Sequence, residues 1–164
     1  MKKNHGFTLI ELLLYMGILS ILLFIITNVF VSILDVQLES QATSGVIQDS
    51  QFIISRLGYD IKRTENITTP ANPGDISNIL NLSIDGINYI YQLNNGDLEL
   101  NDEISTNKLN SFETNVSNLS FQRTGNATEG ATIKLNFTLT SKTQRNNIYE
   151  TKTIQTTLGL RKNE

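Results

Sequence analysis

The chain has no cysteine, and its single histidine is His5. Without cysteine it can form no disulfide, no thiol nucleophile and no thiolate zinc site. One histidine leaves imidazole chemistry without a second ring. The formal net charge of −3 gives no general attraction to nucleic acid. Composition therefore excludes several enzyme and binding classes, and we expect no cofactor.

Apolar residues are unevenly distributed along the 164 residues. They make up 39% of the chain and the mean hydropathy is −0.14, yet they crowd into its beginning. The averages therefore hide two composition classes in one polypeptide.

The segment Leu12–Leu34 contains no charged residue and would be apolar on every side as a helix. A helix needs about 20 residues to cross the hydrocarbon core of a bilayer, so this segment is long enough. A core helix of a soluble domain would normally carry a polar face. We therefore predict a transmembrane helix.

A cleaved secretory signal is a second interpretation, and the basic start Lys2-Lys3 suits it. The apolar run is longer than the about 7–15 residues of such a signal, and no A-x-A site follows it. We therefore expect the segment to be retained, with Lys2 and Lys3 cytoplasmic and the chain after Asp35 exported.

Glu11 is an acid near the start of the apolar stretch that begins at Phe7. An ionised carboxylate inside a membrane costs about 2.5–3.5 kcal/mol. Glu11 could lie at the interface and reach water at little cost. It could also pair with a cation of another chain, for which a newly cut N-terminal ammonium is suited.

The string G-F-T-L-I-E at positions 6–11, preceded by a short basic leader, resembles the N-terminal signature of type IV pilins and type II secretion pseudopilins. The resemblance implies that a prepilin peptidase cuts between Gly6 and Phe7 and that Phe7 is then N-methylated. It also implies that Glu11 guides assembly of subunits into a helical filament.

The resemblance further implies one long helix that continues past the membrane segment. From Val36 to Lys62 there is no proline, and apolar residues recur at helical spacing. We predict a helix over roughly residues 7–64 with an apolar face that packs on a sheet. That face comprises Val46, Ile53, Ile54, Leu57 and Ile61.

Near the end of this helix, Asp60 is close in sequence to Arg56 and Lys62-Arg63. An exposed ion pair worth about 0–1 kcal/mol is the expected arrangement.

After Gly74 the sequence changes to short alternating segments. Asp85-Gly86 and Asn95-Gly96 predict two hairpins and hence a three-stranded meander. Further strands are predicted at 116–123, 132–140 and 148–160, with a polar turn at 141–147. The predicted fold class is α+β and pilin-like: one long N-terminal helix, membrane-spanning in its first half, packed on an antiparallel β-sheet.

The predicted organisation has five parts. Residues 1–6 form a cleaved leader, 7–34 the transmembrane and filament-core helix, and 35–64 the exported amphipathic half of that helix. Residues 65–77 form a linker loop, and 78–164 form the antiparallel β domain.

Two segments resemble particular subfamilies of these proteins. N-V-S-N-L-S-F-Q-R at 115–123 and R-L-G-Y-D-I-K-R-T at 56–64 look like J-type minor pseudopilins and W-type minor pilins. The chain also lacks the cysteine pair that closes the C-terminal loop of many major pilins. The resemblance therefore implies a minor subunit.

Asp97, Glu99 and Asp102 crowd one acidic segment, and such oxygens could hold calcium, as in some pseudopilins. No EF-hand pattern is present, so a solvated acidic turn is the simpler interpretation. No Ser–His–acid set, Walker, G-x-G-x-x-G or H-E-x-x-H motif occurs. We predict that the chain is not an enzyme and holds no metal.

These features predict a structural minor pilin or pseudopilin that assembles into a type IV pilus-like or type II secretion filament, in initiation or at the tip. The expected partners are prepilin peptidase, other pilin or pseudopilin subunits, an inner-membrane assembly platform and membrane lipid, without nucleic acid. The chain would begin as a single-pass inner-membrane protein and end in a pilus or pseudopilus at the cell envelope or surface. The alternative is a permanently membrane-anchored exported binding domain, for adhesion or DNA uptake, that never polymerises.

Overall fold

The computed structural model describes residues 8–125, 132–145 and 148–159. Within them the chain forms one helix and nine strands, and it divides into two compact units, Met1–Leu38 and Glu39–Glu164. The helix packs on antiparallel sheets in the second unit. The predicted α+β, pilin-like fold is confirmed.

Helix α1 spans Leu9–Arg63. Its last turn contains Lys62 and Arg63, whose positive charge is favourable at the negative end of the helix dipole. The predicted end at Thr64 agrees to within one residue, whereas the predicted start at Phe7 lies outside the described residues.

The part of α1 in the first unit has no buried side chain, and every residue from Thr8 to Leu34 is exposed. This stretch is apolar all round and is long enough to cross a membrane. Lipid is the solvent that suits such a surface, because an α-helix satisfies its own backbone hydrogen bonds.

The part of α1 in the second unit buries one face. Its buried residues recur at steps of three and four, as expected for an amphipathic helix. They are Ala42, Val46, Ser50, Ile53, Leu57, Asp60 and Ile61. The predicted apolar face is therefore confirmed, with Ile54 only partly buried at its margin.

Nine strands follow the helix within the described residues. They are β1 Asn66–Thr69, β2 Ile76–Ser77, β3 Leu80–Ile84, β4 Ile87–Asn94, β5 Asp97–Asn101, β6 Thr106–Lys108, β7 Thr114–Thr124, β8 Thr132–Arg145 and β9 Ile148–Gly159.

The strands form two antiparallel sheets rather than the single sheet predicted. The first has the order β1-β3-β4-β5-β6, and the second has the order β2-β7-β8-β9. Both predicted hairpin turns are present: Asp85 and Gly86 have φ of 52° and 78°, and Asn95 and Gly96 have φ of 50° and 87°. These are the positive angles that a type I′ turn requires.

Two segments predicted as loops contain strands. The linker at 65–77 includes β1, which pairs with β3, and β2, which pairs with β7. The polar turn at 141–147 is β-strand through Arg145, because β8 continues past β7 and pairs with β9 alone. Short or polar strands of this kind depend on partners distant in sequence, which local patterns do not report.

One hydrophobic core joins α1 to both sheets. Its fully buried large side chains include Ile53 and Leu57 from α1, Leu82 and Tyr91 from the first sheet, and Phe137 from the second. Strand β3 alternates buried and half-buried residues, as a sheet with one face on a core should. The core therefore fixes the second unit as one packed domain.

Candidate processing and assembly site

The residues that define the predicted cut are outside the described part of the chain. Lys2, Lys3, Gly6 and Phe7 all precede Thr8, where the description begins. Cleavage between Gly6 and Phe7 and methylation of Phe7 therefore stay predictions. Glu11 is described, and it lies in the first turn of α1.

Glu11 and Thr8 form a reciprocal cap at the start of α1. The Thr8 backbone N–H donates to Glu11 Oε2 at 3.4 Å, and the Glu11 backbone N–H donates to Thr8 Oγ1, also at 3.4 Å. This is a capping box, in which a Thr at the N-cap and a Glu three residues later satisfy two free backbone donors. A carboxylate at this end of a helix is also favoured by the helix dipole.

Thr8 is a residue that the sequence reasoning missed. The signal was available, because T-x-x-E ahead of an apolar run is the pattern of a capping box. The structure thus gives Glu11 a second task, starting the helix, in addition to the assembly task that the resemblance implies.

Polar side chains inside the span are hydrogen-bonded to their own helix. Ser20 Oγ donates to the Met16 carbonyl at 2.8 Å, and Thr27 Oγ1 donates to the Leu23 carbonyl at 2.8 Å. Asn28 Nδ2 and Ser32 Oγ each donate to the carbonyl four residues earlier at 3.0 Å. These donors therefore have partners where lipid offers none.

The N-terminal part of the chain matches a known family. Residues 1–27 match the family model described as the prokaryotic N-terminal methylation motif. The motif supports a type IV pilin-like signal, and together with the apolar helix it supports a membrane-anchored, prepilin-type protein. It implies processing by a prepilin peptidase and pilin-type partners in general. Neither the curated proteins nor the solved structures contain a match to the chain.

Asp60 is the main charged site of the second unit, and its predicted environment is wrong. The side chain is fully buried rather than exposed, and it accepts from Arg56 Nε at 2.8 Å and Arg63 Nε at 3.2 Å. The Tyr91 hydroxyl of β4 donates to the same carboxylate. Burial, followed by the hydrogen bond to Asp60, raises the pKa of Tyr91 well above its ordinary value, so the phenol stays protonated.

The Asp60 cluster connects α1 to the first sheet. The Arg63 guanidinium carbon lies 4.9 Å from the centroid of the Tyr59 ring and 5.3 Å from that of the Tyr89 ring. Such cation–π contacts hold the guanidinium while its Nε binds Asp60. Sequence reasoning found the arginines but missed Tyr91, which is 31 residues from Asp60.

The three calcium candidates point to different partners. Asp97 pairs with Lys108, Glu99 Oε1 accepts from Asn94 Nδ2 at 3.2 Å, and Asp102 Oδ1 accepts from the Ser105 backbone N–H at 2.7 Å. In the part of the chain that is described, no group of three His, Cys, Asp or Glu side chains is arranged to hold a metal.

Hydrogen bonds shift the pKa values of Asp97 and Asp102. The hydrogen bond from Lys108 lowers the pKa of Asp97, and the same contact raises the pKa of Lys108. The backbone hydrogen bond from Ser105 lowers the pKa of Asp102. Each carboxylate is thus stabilised in its charged form by protein donors.

Two further polar residues hold the second unit together, and the sequence reasoning missed both. Asp49 Oδ2 of α1 accepts from the Ser111 backbone N–H at 2.9 Å and from Thr114 Oγ1 at 2.5 Å. Arg123 of β7 is buried, and its Nη1 donates to the Ala71 carbonyl at 2.7 Å. Both residues join segments more than 50 residues apart in sequence. No local sequence pattern therefore predicts these contacts.

Proposed function

We propose that the chain is a structural minor pilin or pseudopilin subunit. In this proposal a prepilin peptidase cuts between Gly6 and Phe7, Phe7 is methylated, and the subunit then enters a type IV pilus-like or type II secretion filament. The observation that carries the proposal is the position of Glu11: an acid in the first turn of an exposed apolar helix, within a methylation motif.

The contacts of Glu11 support a carboxylate that can exchange partners. Its hydrogen bonds from Thr8 are 3.4 and 3.5 Å long. Charge-assisted hydrogen bonds to a carboxylate are shorter and stronger, about 2.7–2.9 Å. A methylated ammonium at Phe7 of a neighbouring subunit would therefore be a better partner than the Thr8 donors.

The exposed apolar surface of α1 supports a helix that exchanges lipid for other helices. Every residue of Thr8–Leu34 is exposed, and none takes part in the core of the second unit. We propose that Met1–Leu38 enters the inner membrane with its N-terminus inside, and that Glu39–Glu164 is exported. In the filament, neighbouring helices would replace lipid around the span.

A minor role, in initiation or at the tip, is the finer part of the proposal. It is supported by the absence of cysteine, since the chain cannot close the C-terminal loop with a disulfide. If the chain assembles in this way, its partners are other subunits and an inner-membrane platform, and the chain itself performs no catalysis.

The first experiment is the intact mass of the protein extracted from membranes. The expected product starts at Phe7 and carries one added methyl group. A protein that starts at Met1 would favour the alternative, a permanently anchored exported binding domain for adhesion or DNA uptake.

The second experiment separates the two tasks of Glu11. Glu11→Gln keeps a capping side chain but removes the charge, whereas Glu11→Ala removes both. If the charge guides assembly, both variants should insert and be cut but should be lost from sheared filaments. Normal incorporation of Glu11→Gln would show that only the cap is needed, and would contradict the proposed charge pairing.

Thr8→Ala is the matched control for this experiment. It removes the Oγ1 that accepts from the Glu11 backbone N–H and leaves the carboxylate in place. A substituted N-cap costs about 0.5–2 kcal/mol of helix stability. We expect Thr8→Ala to reduce filament incorporation much less than Glu11→Gln does.

A further inference from the structure

Strand β9 is the long open edge of the second sheet. Among the described strands it pairs with β8 alone, over Ile148–Gly159. The other three sheet edges are much shorter: β1 has 4 residues, β2 has 2 and β6 has 3. A long edge presents a row of unpaired backbone donors and acceptors, which can pair with another strand.

Strand β9 carries few of the features that protect an edge. It has no proline, and its only charged residues are Glu150 and Lys152. The register irregularity with β8 lies between Thr140 and Gln144, so the extra residues belong to β8 rather than to β9. Edges without proline, bulges or several charges are open to strand addition.

The exposed apolar residues of β9 lie at its beginning. Ile148 is 72% exposed and Tyr149 is 47% exposed, so both apolar side chains are open to a neighbour. Further along, Ile154 is buried and Leu158 is half-buried. The exposed apolar surface of β9 is therefore concentrated in the first half of the strand.

We propose that β9 pairs with β9 of a second copy of this chain, antiparallel and centred on Thr151. In that register Glu150 lies opposite Lys152 of the second copy, and Lys152 lies opposite its Glu150. Tyr149 lies opposite Thr153, and Ile148 lies opposite Ile154. The two charge pairs are related by the two-fold axis, and the Tyr149–Thr153 and Ile148–Ile154 pairs likewise each occur twice.

Charge selects this register over its neighbours. A two-fold axis perpendicular to the sheet places one residue opposite itself. Centring on Glu150 would set two carboxylates against each other, and centring on Lys152 would set two ammonium groups against each other. Opposite charges and aromatic–β-branched pairs stabilise cross-strand neighbours, whereas like charges destabilise them.

The same register explains the exposed side chains. Ile148 would be covered by Ile154 of the second copy, and Tyr149 would pack on a β-branched threonine. Both contacts lie in the second unit, so the pairing does not depend on filament assembly. The two-fold axis is perpendicular to the sheet on which α1 packs, so the two copies of α1 run in opposite directions. The pairing therefore joins chains that are not anchored side by side in one membrane or aligned in one filament.

The test uses the absence of cysteine from the chain. In the full-length protein in detergent, Thr151→Cys places the two new thiols on the axis, with Cβ atoms about 4.5–5.5 Å apart. That separation is close enough for a disulfide to form with small adjustment. We expect a covalent dimer under mild oxidation.

Thr153→Cys is the matched control, because Thr153 is also exposed and projects from the same face as Thr151. In the proposed register its two copies are four residues apart along the strands, about 13 Å, and cannot be bridged. Equal crosslinking of the two variants, or none with Thr151→Cys, would overturn the proposal.

Charge reversal then tests the register. In the Thr151→Cys background, Glu150→Lys alone or Lys152→Glu alone should weaken dimer formation about tenfold. The double reversal restores both pairs and should restore crosslinking. If the double variant remains as weak as the single variants, the register is refuted. Repeating the series with Glu11→Ala keeps this result separate from filament assembly.

Discussion

At the residue scale, the Asp60 cluster is where packing and charge are most closely linked. A fully buried carboxylate is held by two arginines of its own helix and by the Tyr91 hydroxyl from the sheet. A buried charge that loses a hydrogen-bond donor is left partly uncompensated. The contribution of Tyr91 can therefore be measured by removing a single oxygen.

Tyr91→Phe should lower the free energy of unfolding by about 1.5–3 kcal/mol, the usual value of a hydrogen bond to a charged group. Urea unfolding of the full-length protein in detergent, followed by near-ultraviolet circular dichroism, measures this loss. Tyr149→Phe, at an exposed tyrosine, is the control and should stay within about 0.5 kcal/mol. Equal effects of the two variants would contradict the assigned role of Tyr91.

A second prediction at the residue scale concerns the stability of the protein at acidic pH. The pKa of Asp97 is lowered in the folded state, so its contribution to stability is present above about pH 4 and is lost as the pH falls further. Asp97→Asn should therefore make stability less dependent on pH below that value. Unfolding midpoints measured across acidic pH give the slope.

Lys108→Met should have the same effect on the acid slope, because it removes the hydrogen bond that lowers the pKa of Asp97. If Lys108→Met leaves the slope of the parent protein unchanged, the pairing does not explain the titration.

At the element scale, α1 is joined to the loop between β6 and β7 by Asp49. Its Oδ2 accepts from the backbone and hydroxyl of Ser111 and from the fully buried Thr114. Asp49→Ala should lower the free energy of unfolding by about 1.5–3 kcal/mol, because it leaves the buried Thr114 hydroxyl and the half-buried donors of Ser111 without this acceptor.

Gln48→Ala is the matched control for Asp49→Ala, since Gln48 is the preceding residue of α1 and is exposed. Denaturant unfolding of the two variants and the parent decides the comparison. An effect of Asp49→Ala no larger than that of Gln48→Ala would show that Asp49 does not help to hold α1 on the rest of the domain.

Elements governed by local chemistry could be predicted from the sequence. The Asp85-Gly86 and Asn95-Gly96 turns require positive φ, and few residues besides Gly, Asn and Asp supply it. The buried face of α1 followed from helical spacing. The strands β1, β2 and β6 could not be predicted, because each has four residues or fewer and exists through its pairing partner.

The residues of the candidate site likewise include some that the local sequence predicts and some that it does not. Glu11 could be identified because a charge within an apolar run is conspicuous, and Thr8 could have been found from the T-x-x-E pattern. The environment of Asp60 could not, because neighbouring arginines suggest an exposed pair and nothing local points to Tyr91. Burial of a charge is a property of the tertiary structure.

At the scale of the whole molecule, the two units differ in how much they bury: every residue of Thr8–Leu34 is exposed, whereas the second unit has a packed core. The core of the second unit begins with Ala42 and Val46, after the boundary at Leu38. We therefore predict that a fragment of residues 39–164 folds without the span. Its urea unfolding should be cooperative, with a midpoint close to that of the full-length protein in detergent.

An unfolded or aggregated fragment would contradict this prediction and would show that residues before Glu39 contribute to the domain. The fragment with Leu57→Ala is a useful comparison, because it removes a fully buried side chain and should cost about 2–5 kcal/mol.

The internal hydrogen bonds of the span also affect the free energy of transferring it out of the bilayer, the step that the proposed assembly requires. Ser20, Thr27, Asn28 and Ser32 each donate to a carbonyl of the same helix. Transfer of this helix from lipid to a bundle of helices breaks none of these bonds, so the hydrogen-bonding terms of the transfer free energy nearly cancel. What remains is an exchange of apolar contacts between two environments of similar polarity. If the span leaves the bilayer as proposed, we expect the main energetic cost of that step at the end of the helix that carries Glu11.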